Sequence, residues 1–418
     1  MNKNCVFTIV AKNYIGLGLI LGRSIQKHNH NIDFYIMVAD EFADSNVVLP
    51  DNVLIGKEVL GISSSKWVNM SFKYDLTEFC TSIKPFSFRY FLEKGYDNVI
   101  YFDPDIYTFS SLDGIFNLLS NKSVLLVPHI ADIHVNYKGE LSEWEVMSNG
   151  IYNLGFCAMR NTSESKEIVD WWCLRLSDCC FADRAKGFFT DQKWMDWLPA
   201  LLGEQVVISR NLGLNMAPWN FFERKIVKRN EKYYVCHREG DNNTSDLLVF
   251  IHFAGYDYTA FKNGKIKRKR IEGLLDYEDL LDVQSEYRDA IVENKEMFDS
   301  FIQQSYSYNS FNNGDEISFF HRRLYNGLIE NGEIINNPFS VDKGSFYYRL
   351  KKSGMILKKS GIDNLNARNI SNMAGKRRII ALLFRILYCL AGYRRYSLFI
   401  RGLIDYHRPE NHIFLIKS

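Results

Sequence analysis

The chain has 418 residues, of which 46 % are hydrophobic, 24 % charged and 15 % aromatic, with 8 prolines. At roughly 100–200 residues per domain this length implies two domains, and so apolar a composition excludes disordered, collagen-like and low-complexity classes. Lys and Arg exceed Asp and Glu by 51 − 49, a net +2, which gives no ground for a nucleic-acid binder.

The first ten residues enter a strand-like run within five positions, too early for the apolar stretch and cleavage site of a signal peptide. No window reaches the roughly 18 apolar residues of a membrane-spanning helix. Eight cysteines are scattered without a Cys-x-x-Cys pair, which fits buried reduced thiols and a cytoplasmic chain.

Taken in order, Cys5–Val10 reads as a buried strand, 15–27 as a helix and Phe34–Val38 as a second strand. Lys84-Pro85 opens a helix that ends at Gly95, because proline suits the first turn of a helix and glycine its far end. Asn98–Phe102 and Ser123–Val127 are further strands. Such alternation predicts an α/β fold, a mostly parallel sheet covered by helices, with ligands beyond the carboxyl ends of the strands. Ser163 is placed to cap a helix carrying Ile168, Trp171 and Trp172. Trp194, Trp197, Leu198 and Leu201 follow a core-facing helical spacing.

Beyond residue 262 the character changes, giving a division into an α/β domain, 1–262, and a mainly helical extension, 263–418. Residues 262–270 hold six basic residues in nine and read as an exposed loop; 275–330 read as helical and acidic. Residues 375–402 carry seven Lys or Arg and no Asp or Glu among apolar residues. That is the composition of a cationic amphipathic helix on anionic lipid, or of a helix packed on the first domain with its charges solvated.

The sharpest chemical feature is Val99-Ile-Tyr-Phe-Asp-Pro-Asp, an apolar strand running into Asp103 and Asp105. Two carboxylates at a strand end repel unless a divalent cation sits between them, and Mg²⁺ or Mn²⁺ so held keeps open positions for phosphate oxygens. Further segments bring Asn153 and Gly155, Asp191-Gln192 at a helix start, Asn215 to Asn220 with Trp219, and His252 with Gly255. An imidazole beside two carboxylates favours Mn²⁺ over Mg²⁺.

In this order and spacing Lys84-Pro85, Asp103-Pro104-Asp105, Pro128-His129, Tyr152 to Phe156, Asp191 to Trp194, Asn215 to Asn220 and His252 to Gly255 resemble glycosyltransferase family 8. The likeness is to its glycogenin and lipooligosaccharide galactosyltransferase type, and nearer still to a relative among bacterial surface-polysaccharide enzymes. It covers roughly residues 5–260.

The resemblance implies a GT-A fold and a metal-dependent retaining transfer of a sugar from a nucleotide-sugar, a UDP-sugar, to a glycan or lipid-linked acceptor. Asp103, Asp105 and His252 would hold the metal against the diphosphate. Ala11, Asn13 and Tyr14 would border the nucleobase, Lys84 would reach the donor, and Gly255 would let backbone approach the phosphates. Asn153, Asp191 and Gln192 would line the reacting sugar, Asp191 or Gln192 stabilising charge at C1 or Asp191 acting as a transient nucleophile.

The chain departs from the family after Gly255, where Tyr-Asp-Tyr replaces the usual Lys-Pro-Trp; Lys262 or Lys265 on a closing loop would then supply the missing cation. His129 is either a satisfied core histidine or an acceptor-site residue, and Trp219 either packing or a sugar platform. Two other readings compete: a non-catalytic sugar-nucleotide or glycan binder on the same fold, and an aspartate-dependent phosphohydrolase. The chain is expected in the cytoplasm or peripheral on the inner face of the plasma membrane.

Overall fold

A computed structural model describes residues 2–42, 48–239, 245–268, 277–356 and 373–417. The chain forms two compact units, one of residues 1–62 and 76–306, the other of 63–75 and 307–418.

The first unit is built on a seven-stranded sheet. Its strands are β1 (Asn4–Val10), β2 (Ile32–Val38), β3 (Val53–Ile55), β4 (Asn98–Phe102), β6 (Val124–Leu126), β7 (Phe156–Arg160) and β8 (Val206–Ile208), in spatial order β3-β2-β1-β4-β7-β6-β8. β5 (Ile106–Thr108) lies outside this sheet and pairs antiparallel with β9 (Phe250–His252). The mostly parallel α/β expectation holds, with one exception: β7 runs antiparallel to both β4 and β6.

From Cys5 to Val10 every residue of β1 is buried, so the apolar run reflects cover on both faces rather than one. Helix α1 (Ile15–His28) supplies part of that cover through Ile15, Leu21 and Ile25. α2 (Lys84–Glu93) carries Pro85 in its first turn, as the sequence indicates.

Several local expectations change. The cap of α3 (Ser163–Asp178) is Thr162, whose hydroxyl accepts from the Ser165 amide at 3.2 Å; Ser163 is the first helical residue. The tryptophan helix breaks into two short pieces, Gln192–Met195 and Leu198–Leu202, the second with Pro199 in its first turn. Helical spacing is not carried across that break, so Trp197 and Leu201 are 60 % and 50 % exposed instead of core.

The basic stretch 262–270 is not simply an exposed loop. Lys262 ends a short helix and pairs with Asp299, and the Arg268 side chain is 7 % exposed. Positions 269 and 270, like 275 and 276, lie outside the described residues.

The first unit also extends past 262. Helices α4 (Leu281–Glu293) and α5 (Lys295–Ile302) belong to it, because Val283, Tyr287, Ile291 and Phe298 join a core with Leu17, Ile20 and Ile251. A composition shift marks where charge changes; the boundary follows buried area.

The second unit has its own core, with Phe72, Leu324, Tyr325 and Phe346 at its centre. Its helices are Ser64–Lys73, α6 (Phe319–Glu330), α7 (Phe346–Lys352) and α8 (Met373–Gly402). Arg322 is buried and donates to the carbonyls of Ser71, Phe72, Tyr74 and Tyr308 at 2.7–3.1 Å, tying the 63–75 excursion to this unit. α8 breaks at Gly392, where φ is +71°. Among the described residues no helix is long and apolar enough to cross a membrane.

Candidate active site

The two aspartates owe their convergence to a turn. Asp103-Pro104-Asp105-Ile106 closes on a hydrogen bond from the Ile106 amide to the Asp103 carbonyl at 3.1 Å, with proline where a β-turn favours it. The Asp103 amide donates to Gly155 O at 2.8 Å, extending the β4–β7 pairing by one step. Tyr101 and Asp103, two residues apart on a strand, share a face, and the tyrosine hydroxyl donates to Asp103 Oδ1 at 2.5 Å.

Strand register brings the histidine. His252 pairs with Ile106 across β9 and β5, and the next amide, Phe253, donates to Asp105 O at 2.8 Å. His252 Nε2 thereby lies 3.0 Å from Asp105 Oδ1 and 3.7 Å from Asp103 Oδ2. One ligand atom from each of Asp103, Asp105 and His252 falls within 4.8 Å of the others.

A chain of hydrogen bonds fixes the tautomer. His129 Nδ1 donates to Ile151 O at 3.0 Å, leaving Nε2 to accept from Asn153 Nδ2 at 3.4 Å. Asn153 Oδ1 then accepts from His252 Nδ1 at 3.3 Å, from Asn215 Nδ2 at 3.1 Å and from the Gly155 amide at 3.2 Å. With Nδ1 protonated, His252 presents Nε2 toward the carboxylates. Gly155 is required here: a Cβ on it would stand 2.7 Å from His252 Nδ1 and 2.8 Å from Asn153 Oδ1.

Electrostatics follow the geometry. Burial lifts the Asp103 carboxyl above its ordinary value, with Lys84 and His252 opposing. Burial lowers the His252 imidazole, but the Asp105 and Asp103 carboxylates beside it more than offset this and raise it. His129 is pushed down to about 4 by burial and stays neutral, a satisfied core histidine. The donor set of two carboxylates and one oriented imidazole fits Mn²⁺.

Ala11, Tyr14, Asp103, Asp105 and Gly255 line one cleft of about 500 Å³. Asn13 is not among its lining residues, although its Oδ1 is buried without a hydrogen-bond partner among the described residues. Lys84 Nζ is buried beneath the site, 4.0 Å from the Tyr101 ring centre; it donates to Leu154 O at 2.7 Å and to Asp191. Asp191 also accepts from the Thr190 hydroxyl at 3.1 Å. The Gln192 amide bridges backbone, Oε1 accepting from Leu154 N and Nε2 donating to Asn149 O, each at 3.0 Å.

All the residues designated from the sequence except Asn13, Lys262 and Lys265 are thus walls of the cleft or joined to this network by hydrogen bonds, ion pairs or ring contacts; Lys262 pairs with Asp299 instead, and Lys265 is exposed. Tyr101, Tyr256, Tyr258 and Cys80 also line the cleft and were not singled out. Of these, Tyr101 was legible through its two-residue offset from Asp103; the others meet the site only through folding. Trp219 stands edge-on to His252 at 5.1 Å and to His129 at 5.3 Å, so it packs on both histidines.

No protein-family model matches the chain. It is 22 % identical over 255 residues, 60 % of its length and 80 % of the relative's, to the uncharacterized protein YfnF of Bacillus subtilis (strain 168). It is similar to the galactosyltransferase LgtC, solved in complex with donor and acceptor sugar analogs. The TM-score is 0.41 at 15 % identity, covering 72 % of this chain and 97 % of that one. It is also similar to the glycosyltransferase GlyE of Streptococcus pneumoniae TIGR4, with a TM-score of 0.38 at 14 % identity, covering 74 % of this chain and 67 % of that one.

Proposed function

We propose that the chain is a metal-dependent, retaining glycosyltransferase of GT-A type that moves a sugar from a UDP-sugar to a glycan or lipid-linked acceptor in bacterial surface-polysaccharide synthesis. The observation that carries this reading is the convergence of Asp103, Asp105 and His252 at the edge of a cleft walled by the carboxyl end of β1. Asp103, Asp105 and His252 would hold Mn²⁺, which when bound neutralises charge on a diphosphate leaving group.

The other residues divide the remaining work. Tyr14 walls the cleft, and its ring offers a stacking face for the nucleobase. Lys84 answers the charge of Asp191 in a buried pair, 1 % and 3 % exposed, and so holds that carboxylate beside the sugar's place. Gln192, anchored at both ends to backbone, and Asn153, committed to His252, act as positioning groups. In the transfer the acceptor oxygen bonds to C1 on the face from which the phosphate departs, and the acceptor's proton passes to the departing phosphate oxygen.

The basic helix supports a site at the inner face of the membrane. Ile379, Leu382, Leu383 and Ile386 are 47–61 % exposed at i, i+3, i+4 and i+7, on a helix with seven cationic and no acidic side chains over 375–402. The chain should sediment with vesicles containing phosphatidylserine and not with neutral ones; equal recovery removes the membrane reading.

The main test is a screen of UDP-, GDP- and dTDP-sugars, with and without Mn²⁺, read by thermal unfolding and by mass spectrometry of acceptor products. The reading expects stabilisation by UDP-sugars that depends on Mn²⁺, and a glycosylated product. Donor binding without transfer or hydrolysis would leave a binder; no stabilisation by any donor would overturn the reading.

A further inference from the structure

A charge balance at the cleft exposes a gap. A divalent ion shared between the carboxylates of Asp103 and Asp105 and an incoming diphosphate offsets only part of their combined negative charge, and the rest needs a further cation in a partly buried site. Lys84 is committed to Asp191 and Leu154 O, and Lys262 to Asp299. Arg268 is different. The segment before it folds back on the cleft wall: Arg268 bridges Tyr256, and the Asp257 amide donates to Lys267 O at 2.8 Å. Its guanidinium Nη2 lies 3.8 Å from where a Cβ on Gly255 would stand, and Gly255 and Tyr256 both line the cleft.

Two features mark this arginine as poised. Its side chain is 7 % exposed, and its Nε is buried with no hydrogen-bond partner among the described residues. Its two terminal nitrogens grip Glu140, Nη1 to Oε2 at 2.8 Å and Nη2 to Oε1 at 2.9 Å. A forked guanidinium accepts a carboxylate and a phosphate in the same geometry, so Glu140 occupies the place of an anion.

We propose that Arg268 is the residue that clamps the donor's diphosphate, and that Glu140 holds it in place as an internal anion until the donor arrives. The inference rests on the glycosyltransferase reading and adds a residue to it. Donor binding exchanges one anion for another on the same fork, so the strap at 265–268 is ordered before substrate arrives.

The test is calorimetric titration of the full chain with UDP and with UMP at saturating Mn²⁺. Arg268→Gln should weaken UDP binding about 10-fold or more while changing UMP binding less than about 2-fold, since the fork addresses the second phosphate. Arg268→Lys, which keeps the charge and loses the fork, should fall between, and Glu140→Gln should tighten UDP. Equal affinity for UDP in Arg268→Gln and wild type overturns the clamp, and so does an equal loss for UDP and UMP, the mark of general damage. Weaker UDP binding by Glu140→Gln overturns the exchange. If the wild-type chain binds neither nucleotide, the donor reading itself falls; if it binds and only Arg268→Gln is silent, the clamp alone is wrong.

Discussion

Two groups of histidine and carboxylate occur among the described residues of the first unit, and they use the same residue types to opposite ends. Asp103, Asp105 and His252 form one; Asp132, His134 and Glu223 form the other, each with ligand atoms within 4.8 Å. In the second, Arg210 holds Asp132 Oδ1 and Arg224 holds Glu223 Oε1, each at 3.1 Å, and His237 Nδ1 meets Asp132 Oδ2 at 2.7 Å. In the first, no Lys or Arg among the described residues lies within ion-pair distance of either aspartate; only His252 does. Proximity of ligand types therefore does not define a metal centre. The group whose carboxylates are held by arginines is a structural knot, and the one whose carboxylates have only a histidine within ion-pair distance keeps an electrostatic demand that a bound cation would meet.

The largest expected effect breaks that comparison at its root. Asp105→Asn should reduce Mn²⁺-dependent turnover by about 10³-fold or more with the fold intact, because it removes a carboxylate charge and no packing. Asp132→Asn should leave the Mn²⁺ affinity untouched. If the two variants behave alike in a Mn²⁺ titration, the two groups do not differ in their capacity for a cation.

A smaller effect probes the knot. Glu223 and Arg224 are 0 % and 1 % exposed in their side chains, and burial already pulls the Arg224 guanidinium below its ordinary value. Glu223→Gln should destabilise the chain by about 3–5 kcal/mol in urea unfolding, since a buried cation loses its partner. A loss under about 1 kcal/mol would mean water reaches this pair.

The smallest effect is a pH dependence. The His252 imidazole is raised above 6.5 in the folded chain, so a cation at Nε2 must displace a proton there. Affinity for Mn²⁺ should climb with pH through 6.5 and above, by up to about tenfold per unit, and level off once the imidazole is neutral. Without metal, the stability that the protonated His252 draws from Asp105 is present below 6.5 and lost as pH rises through the folded value. A Mn²⁺ affinity flat between pH 6 and 8 would remove His252 from the ligand set.

Much of this site was legible beforehand because its parts are local. Asp103-Pro104-Asp105 is a turn signal and a charge anomaly at once, and a carboxylate pair after a buried strand has few packing explanations. Lys84, Asp191 and Gln192 were visible as polar residues at helix starts in an apolar chain, yet their mutual bonds were not. Asn153 was expected against the sugar and is found fixing His252, because its oxygen faces three donors that come from distant segments. Arg268 was hidden inside a basic run that reads as solvated; only the fold-back onto Tyr256 buries it. Trp197 and Leu201 fit a core spacing that requires one continuous helix, and Pro199 starts a new one.

The sequence by itself determined the alternation of strands and helices, the buried central strands and the residue types able to hold a cation, because periodicity, turn chemistry and charge act over a few residues. Tertiary structure alone decided the antiparallel course of β7, the extension of the first unit to residue 306 and the meeting of His252 with Asp105. Those outcomes depend on strand register and on area buried between segments about 150 residues apart, quantities that no local pattern encodes.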